Sequence, residues 1–340
     1  MKKVFKKKIL PNSKYQLEFP ILNNTKDKKI FIDELRRLFK PVYLFKIKNI
    51  FILNNGIPFF NNREIVFDYL KFNSLSGLKF IKKIILLTLY SFQNLKKKNN
   101  CITIKDAIFI ADRHSANYYH WVTDVLPKIY MINKKNILKN IPIIIPNFKT
   151  SFQRDSIKMI TKNIIIIKKN INLNNCYYLS ELHNSGCPRP EYIRGIKKLF
   201  TKNINKKRYY KNIYISRRYG NYRKILQEKK LIKFLRKENF KIIDAEKLSF
   251  IDQIRYFENA KFVISSHGAG LTNLIWMKPK SKILEIRSFN PTQNSNYALC
   301  NIFKIKYFYH LVRQVNYSSN GSYLFKLDEF KKYYNEIKNY

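Results

Sequence analysis

Phe262-Val-Ile-Ser-Ser-His267-Gly268-Ala269-Gly270-Leu271-Thr272-Asn273 is a short apolar run of strand character that ends in a small-residue loop opening the next apolar segment. A βα unit offers free backbone N–H groups to a phosphate in this way. The chain has only eight glycines. Two of them sit at this turn, where a Cβ would block close approach of an anion or demand a positive φ. An ordinary strand-to-helix connection has the same appearance, so the flanking sequence must separate the two readings.

Downstream, residues 271–277 read as a short helix stopped by Pro279, and residues 282–286 read as a buried strand containing Glu285. Upstream, Ser249 and Asp252 form a capping signature, followed by Phe250, Ile254 and Phe257 at helical spacing. Residues 212–216 form a strand, 225–238 an amphipathic helix and 241–244 another strand. The order is β-α-β-α-β-α-β. Strands alternating with helices imply parallel pairing, with ligands bound outside the carboxyl ends of the strands. Ser216-Arg217-Arg218 and Ser265-Ser-His267 both lie at such ends.

Between the first strand and its helix comes Ser216-Arg217-Arg218-Tyr-Gly220-Asn-Tyr-Arg223-Lys224. Arginine forks bind phosphate oxygens in pairs and stay charged at any working pH. In so basic a chain, a merely solvated loop is the competing reading.

A second constellation, Asn117-Tyr-Tyr-His120-Trp121-Val-Thr-Asp124-Val-Leu126-Pro127-Lys128-Ile129, follows the strand-like run 107–112. It reads as a helix whose apolar side is Trp121, Val125, Ile129 and Ile132. His120 and Asp124 are four apart, so one face carries both. A carboxylate that orients an imidazole makes a general base near neutral pH, and a half-buried His satisfied by its neighbour shows the same spacing.

These segments, with Leu248 to Ile286 the most specific, resemble the successive motifs of glycosyltransferase family 61, in its bacterial capsular polysaccharide biosynthesis branch. The similarity covers roughly residues 107–287. Lys128 stands where the family more often has Arg, and Gln227 where Asn commonly precedes Glu228. The resemblance implies an α/β, GT-B-like fold, two Rossmann-like domains with parallel sheets facing a cleft. It also implies inverting transfer from a nucleotide sugar bound on the carboxyl-terminal domain, with no obligatory metal. The domains are then 1–205 on the acceptor side, of which 1–100 resembles nothing familiar, 206–310 for the nucleotide sugar, and a 311–340 tail packing back on the amino-terminal domain. The boundary is the polar run 201–211.

On that reading the donor site comprises Ser216, Arg217, Arg218, Arg223, His267, Gly268, Ala269, Gly270, Leu271, Thr272, Asn273 and Glu285. The arginines neutralise the diphosphate, the loop backbone and the Thr272 hydroxyl add hydrogen bonds, and Glu285 accepts from ribose hydroxyls. His120 takes the acceptor hydroxyl proton while Asp124 orients it. The chain has no D-x-D triplet to hold a divalent ion against a diphosphate, so cationic side chains must do that work and no cofactor is expected. The partners are a nucleotide sugar and a glycan or lipid-linked acceptor in surface polysaccharide synthesis. An epimerase or hydrolase on the same scaffold is the alternative within enzymes.

Length and composition agree with two domains. The 67 Lys and Arg against 22 Asp and Glu give a formal charge of +45, which attracts nucleic acid, acidic lipid headgroups or anionic glycans. A/T-rich codon usage would also produce many Lys, Asn, Ile, Phe and Tyr without selection for a partner. The 26 Phe and 24 Tyr lie in apolar runs and do not interleave with basic residues, so core packing explains them better than specific nucleic-acid binding. Four scattered cysteines, Cys101, Cys176, Cys187 and Cys300, point to reduced thiols, and the amino terminus lacks a sustained apolar region. Both suit a cytoplasmic protein, with peripheral contact at an anionic inner membrane face. Residues 80–92 are too short to span a bilayer and read as a core or interfacial helix.

Overall fold

The computed structural model describes residues 5–21, 24–52, 58–60, 101–110, 115–147, 150–183, 186–202, 204, 210–220, 222–289, 294–315 and 321–340. The expected 80–92 helix and most of the 201–211 boundary lie outside them.

The protein is α/β. Its first part contains β1 (Phe5–Leu10), β2 (Ser13–Gln16), β3 (Arg36–Phe39), β4 (Val42–Ile52), β5 (Pro58–Phe60), β6 (Cys101–Phe109), β7 (Ile143–Pro146), β8 (Ile164–Ile167) and β9 (Asn170–Leu179). Seven of these form one sheet in the order β1-β4-β9-β6-β7-β8, with β5 on β4. The sheet is mixed. β9, β6, β7 and β8 run parallel, whereas β1, β4 and β5 pair antiparallel, which corrects the expectation of a parallel sheet here. Antiparallel pairing needs no helical crossover, so no helical periodicity marked these strands.

The second part contains β10 (Asn212–Ile215), β11 (Lys241–Ile243), β12 (Phe262–Ser266), β13 (Lys282–Arg287) and β14 (Lys306–Leu311), followed by the two-residue strands β15 (Arg313–Gln314) and β16 (Tyr323–Leu324). The first five form an all-parallel sheet in the order β11-β10-β12-β13-β14. Most of their buried positions are apolar, as strands covered on both faces require, and Ser265, Ser266, Glu285 and Arg287 are the buried exceptions toward the carboxyl ends. Helices Glu228–Lys237 and Leu327–Ile337 cover one face through Leu231, Leu235, Phe330 and Tyr334. Phe250–Glu258 and Ser295–Phe303 pack on the other. β14 and the Ser295–Phe303 helix extend the expected order by a further unit.

The two parts share one buried cluster, reaching from Trp121, Val125 and Ile129 to Phe250, Leu274 and Trp276. Phe200, at the end of the Pro190–Thr201 helix, meets Phe250 edge-on at 5.1 Å. The amino-terminal segment crosses over to the parallel sheet. Phe31 packs on Tyr297, Tyr307 and Tyr309. The Tyr297 hydroxyl and the Asn301 amide donate to the Glu18 carbonyl, and the Asn294 amide to that of Ile30. The carboxyl-terminal helix does the opposite of what was expected. Phe330, Tyr334 and Ile337 pack on Phe240, Phe262 and Phe308 of the parallel sheet, because its apolar stripe finds an uncovered aromatic face there. Among the described residues no helix is long and apolar enough to cross a membrane. None of the four cysteines forms a disulfide.

Candidate active site

In the parallel sheet, β10 has β11 on one side and β12 on the other, so the chain reverses its direction of progress there. The crevice outside the carboxyl ends of two such strands is where open α/β sheets bind ligands. β10 ends at Ser216-Arg217-Arg218 and β12 at Ser266-His267. Ser265 Oγ donates to the Ile215 carbonyl at 3.1 Å and fixes the two ends together. The expected donor residues therefore meet at one place.

Their roles within that place differ. Arg217 Nη1 donates to the His267 carbonyl at 3.0 Å, and its guanidinium occupies the space beside Gly268 where a Cβ would stand, 1.5 Å from Nη1. Gly268 has an extended backbone, φ 161°, and Gly270 lies in a helical turn, so neither glycine serves a positive φ. The need for Gly268 is set by the arginine packed against it. Burial, then the nearby Arg223, depress the Arg217 pKa. The Nε atoms of Arg217 and Arg223 are buried with no hydrogen-bond partner among the described residues. Arg218 is instead exposed, and its Nε donates to Asp244 Oδ1 at 3.0 Å while Nη2 faces Oδ2. One edge of that fork is already committed to a carboxylate.

Ala269–Trp276 is a 3₁₀ helix, tighter and earlier than the expected 271–277 helix. The N–H groups of Ala269 and Gly270, in its first turn, have no acceptor within the helix. Leu271 and Thr272 are buried, and the Thr272 hydroxyl has no partner among the described residues. Asn273 is also buried and its amide serves the protein: Nδ2 donates to Gln253 Oε1 at 2.7 Å and the Gly270 carbonyl at 3.1 Å, and Oδ1 accepts from Tyr118 and Trp276. Both ends of its amide are engaged within the protein.

Glu285 is likewise fully buried. It accepts from His267 Nδ1 at 2.5 Å, from Asn296 Nδ2 at 2.7 Å and from the Tyr307 hydroxyl at 2.5 Å, while Arg287 donates to Tyr307. Burial alone would raise its pKa, but the His267 imidazole, with Arg287 and Tyr307, brings it down to about 2. Burial lowers the His267 pKa against the pull of Glu285. Its Nδ1 faces the carboxylate.

The other pair forms as expected. Asn117 caps the helix, its Oδ1 accepting from the Tyr119 N–H at 2.9 Å. One α-turn, Tyr118–His120, leads into a π-turn over Trp121–Val125 and then the Leu126–Lys134 helix. Trp121, Val125, Ile129 and Ile132 are buried, and His120 and Asp124 lie on the opposite side with His120 Nδ1 2.8 Å from Asp124 Oδ2. The Thr123 hydroxyl, 2.7 Å from Asp124 Oδ1 and 2.8 Å from the Tyr119 carbonyl, donates its single proton to one or the other. Sequence reasoning missed a third member: His183 Nε2 lies 3.1 Å from Asp124 Oδ1 and 3.0 Å from the Thr123 carbonyl. Burial would raise the Asp124 pKa, but the His120 and His183 hydrogen bonds hold it well below the ordinary carboxylate range.

The two pairs are mechanically linked. Tyr118, two residues before His120, donates its hydroxyl to Asn273 Oδ1 at 2.6 Å, joining the helix of the His–Asp pair to the switch-point loop.

An α/β sheet with a basic loop at its switch point, facing a helix that carries a His–Asp pair, has the parts of a group-transfer enzyme. Residues 118–284 match the family model described as Glycosyltransferase 61. Residues 118–284 are thus a domain of glycosyltransferase family 61, whose activity class is sugar transfer. A comparison with curated proteins gives no match.

Proposed function

We propose that the protein transfers a sugar from a nucleotide-sugar donor, with inversion and without a metal, to a hydroxyl of a glycan or glycolipid acceptor in surface polysaccharide synthesis. The two parts act as the donor and acceptor sides of a GT-B-like enzyme. The observation that carries this reading is the Tyr118–Asn273 hydrogen bond, which fixes a candidate base and a candidate phosphate loop in one frame. Positioning of this kind supplies much of the barrier reduction in group transfer.

His120 donates its Nδ1–H to Asp124, which leaves Nε2 as the nitrogen that accepts a proton from the attacking hydroxyl. Inversion needs that attack on the face away from the leaving diphosphate. As the anomeric bond lengthens, negative charge grows on the diphosphate, and cations aimed at it lower the barrier. Arg217, Arg223 and the first turn of the 3₁₀ helix supply them, with the outer edge of Arg218. Contact with an anionic membrane face suits the +45 charge and an acceptor carried on lipid.

A thermal-shift screen of nucleotide sugars tests the reading, since a ligand that binds only the folded state raises its stability by mass action. One donor should raise the melting temperature equally with and without a chelator. Stabilisation abolished by chelator and restored by manganese would overturn the metal-free mechanism, and stabilisation by none of the donors would overturn the function.

A further inference from the structure

His183 belongs to no motif of the catalytic reading, yet the fold goes to some length to place it. It follows Leu182, whose carbonyl accepts from Arg189 Nε at 2.6 Å. Arg189 is itself buried and also donates to Ser13 Oγ at 2.9 Å and to the carbonyls of Pro11 and Lys40, so the β2–β3 hairpin and the segment carrying His183 are clamped by one guanidinium. The His183 side chain is 3 % exposed, against 23 % for His120. It sits on the far carboxylate oxygen, Oδ1, while His120 holds Oδ2.

Resting on the reading of His120 as the base, we propose that His183 is a positioning residue. By donating from Nε2 to Asp124 Oδ1 it fixes the carboxylate plane that orients His120 and takes up part of its negative charge, setting how basic His120 is. Only a donor can fill this place, because Asp124 is ionised and the Thr123 carbonyl on the same side is also an acceptor. The π-turn presents that carbonyl and the Asp124 side chain together to one ring nitrogen.

The other titratable groups around Asp124 hold their charge state through neutral pH. Burial, with Asp124 beside it, raises the Tyr119 hydroxyl well above its ordinary range. Burial also pushes Cys187 up to about 11. Arg37 pulls against burial at both.

The sign follows from charge. Removing a donor, or a cation, from Oδ1 leaves more negative charge for His120 and stabilises its imidazolium, so its midpoint rises. The test is nuclear magnetic resonance of the full chain with 13C-labelled histidine rings, assigned by substitution and titrated from pH 5 to 9. His183→Leu should move the His120 midpoint upward by on the order of one pH unit. His183→Gln, whose amide N–H reaches the same place, should restore it. A His183→Leu midpoint equal to that of the unaltered protein overturns the proposal, as does an equal shift in both variants.

If the leucine variant does not fold, the unaltered protein still decides. The His183 resonances should move through the His120 midpoint, because both rings share one carboxylate, and their independence would overturn the idea. No sugar donor enters this experiment, so its failure is distinct from failure of the glycosyltransferase reading, which the donor screen addresses.

Discussion

The protein holds two imidazole–carboxylate pairs with similar contact geometry and opposite surroundings. His120 and Asp124 are one helical turn apart, and their side chains are 23 % and 12 % exposed. His267 and Glu285 come from the ends of neighbouring parallel strands and are 9 % and 0 % exposed. In the first pair the imidazole keeps contact with solvent and can exchange its proton. In the second the carboxylate is surrounded by His267, Asn296 and Tyr307, so the pair secures a buried charge beneath the switch-point loop. The same two functional groups thus stand partly in solvent in one place and sealed in the core in the other, and the proposed proton-accepting role falls to the pair with access to solvent.

The largest effect expected from this contrast is on rate. His120→Asn should reduce turnover by roughly two to four orders of magnitude, the worth of a positioned acid–base group, with donor affinity nearly intact. Asp124→Asn should do the same more mildly. Steady-state kinetics with calorimetric donor titration measures both, and near-normal turnover of the His120 variant would make the first pair structural as well.

The second pair should declare itself in stability. Glu285→Ala removes one partner of a buried, hydrogen-bonded ion network and should cost about 3–5 kcal/mol in chemical denaturation. A loss no greater than that of Asp124→Asn would erase the distinction.

A smaller effect should separate the arginines above that pair. Arg217→Ala should weaken binding of a nucleoside diphosphate by about tenfold or more, as expected for a charge-assisted hydrogen bond, and Arg218→Ala by less, because Arg218 is exposed and forked to Asp244. Isothermal titration in parallel settles the order, and a greater loss at Arg218 would place the diphosphate on the outer rim.

The smallest effect is the pH dependence of folding. Burial lowers His267 from its ordinary 6.5 and takes His310 to about 4, so below pH 6.5 the unfolded chain binds more protons and stability falls with pH. Glu285, depressed to about 2, adds stability that is present above 4.5 and lost as pH falls from there toward 2. Melting temperature should therefore drop steadily from pH 7 to pH 4, and a flat profile would show that the buried pair does not titrate on unfolding.

The contrast also explains what the sequence could reveal. The i,i+4 spacing of His120 and Asp124 is a local pattern, as are the Ser249 cap, whose Oγ accepts from the Asp252 N–H at 3.1 Å, and the β-α alternation of the parallel sheet. Glu285 was seen as a strand-end carboxylate, but its partners lie 18 residues before it in His267 and 22 after it in Tyr307, and no spacing rule links them. His183 lies 60 residues from Thr123, and no spacing rule links them either. The mixed sheet stayed hidden for the same reason. The helix expected from residue 225 begins at Glu228 because Ile225 bridges to Tyr323, and Gln227 takes φ 63°, a left-handed conformation that Asn, the more usual residue there, tolerates better.

The amino-terminal crossover bears on how the molecule is made. Glu18 is held by Asn301, 283 residues further along the chain. At a ribosomal rate of 5–20 residues per second, these two groups are separated by on the order of tens of seconds of synthesis. Through that interval Phe31 has no aromatic bed and must stay in solution or in the keeping of a chaperone. Because Tyr297, Tyr307 and Tyr309 are translated long after Phe31, a segment made early waits for its bed until a segment made much later has emerged.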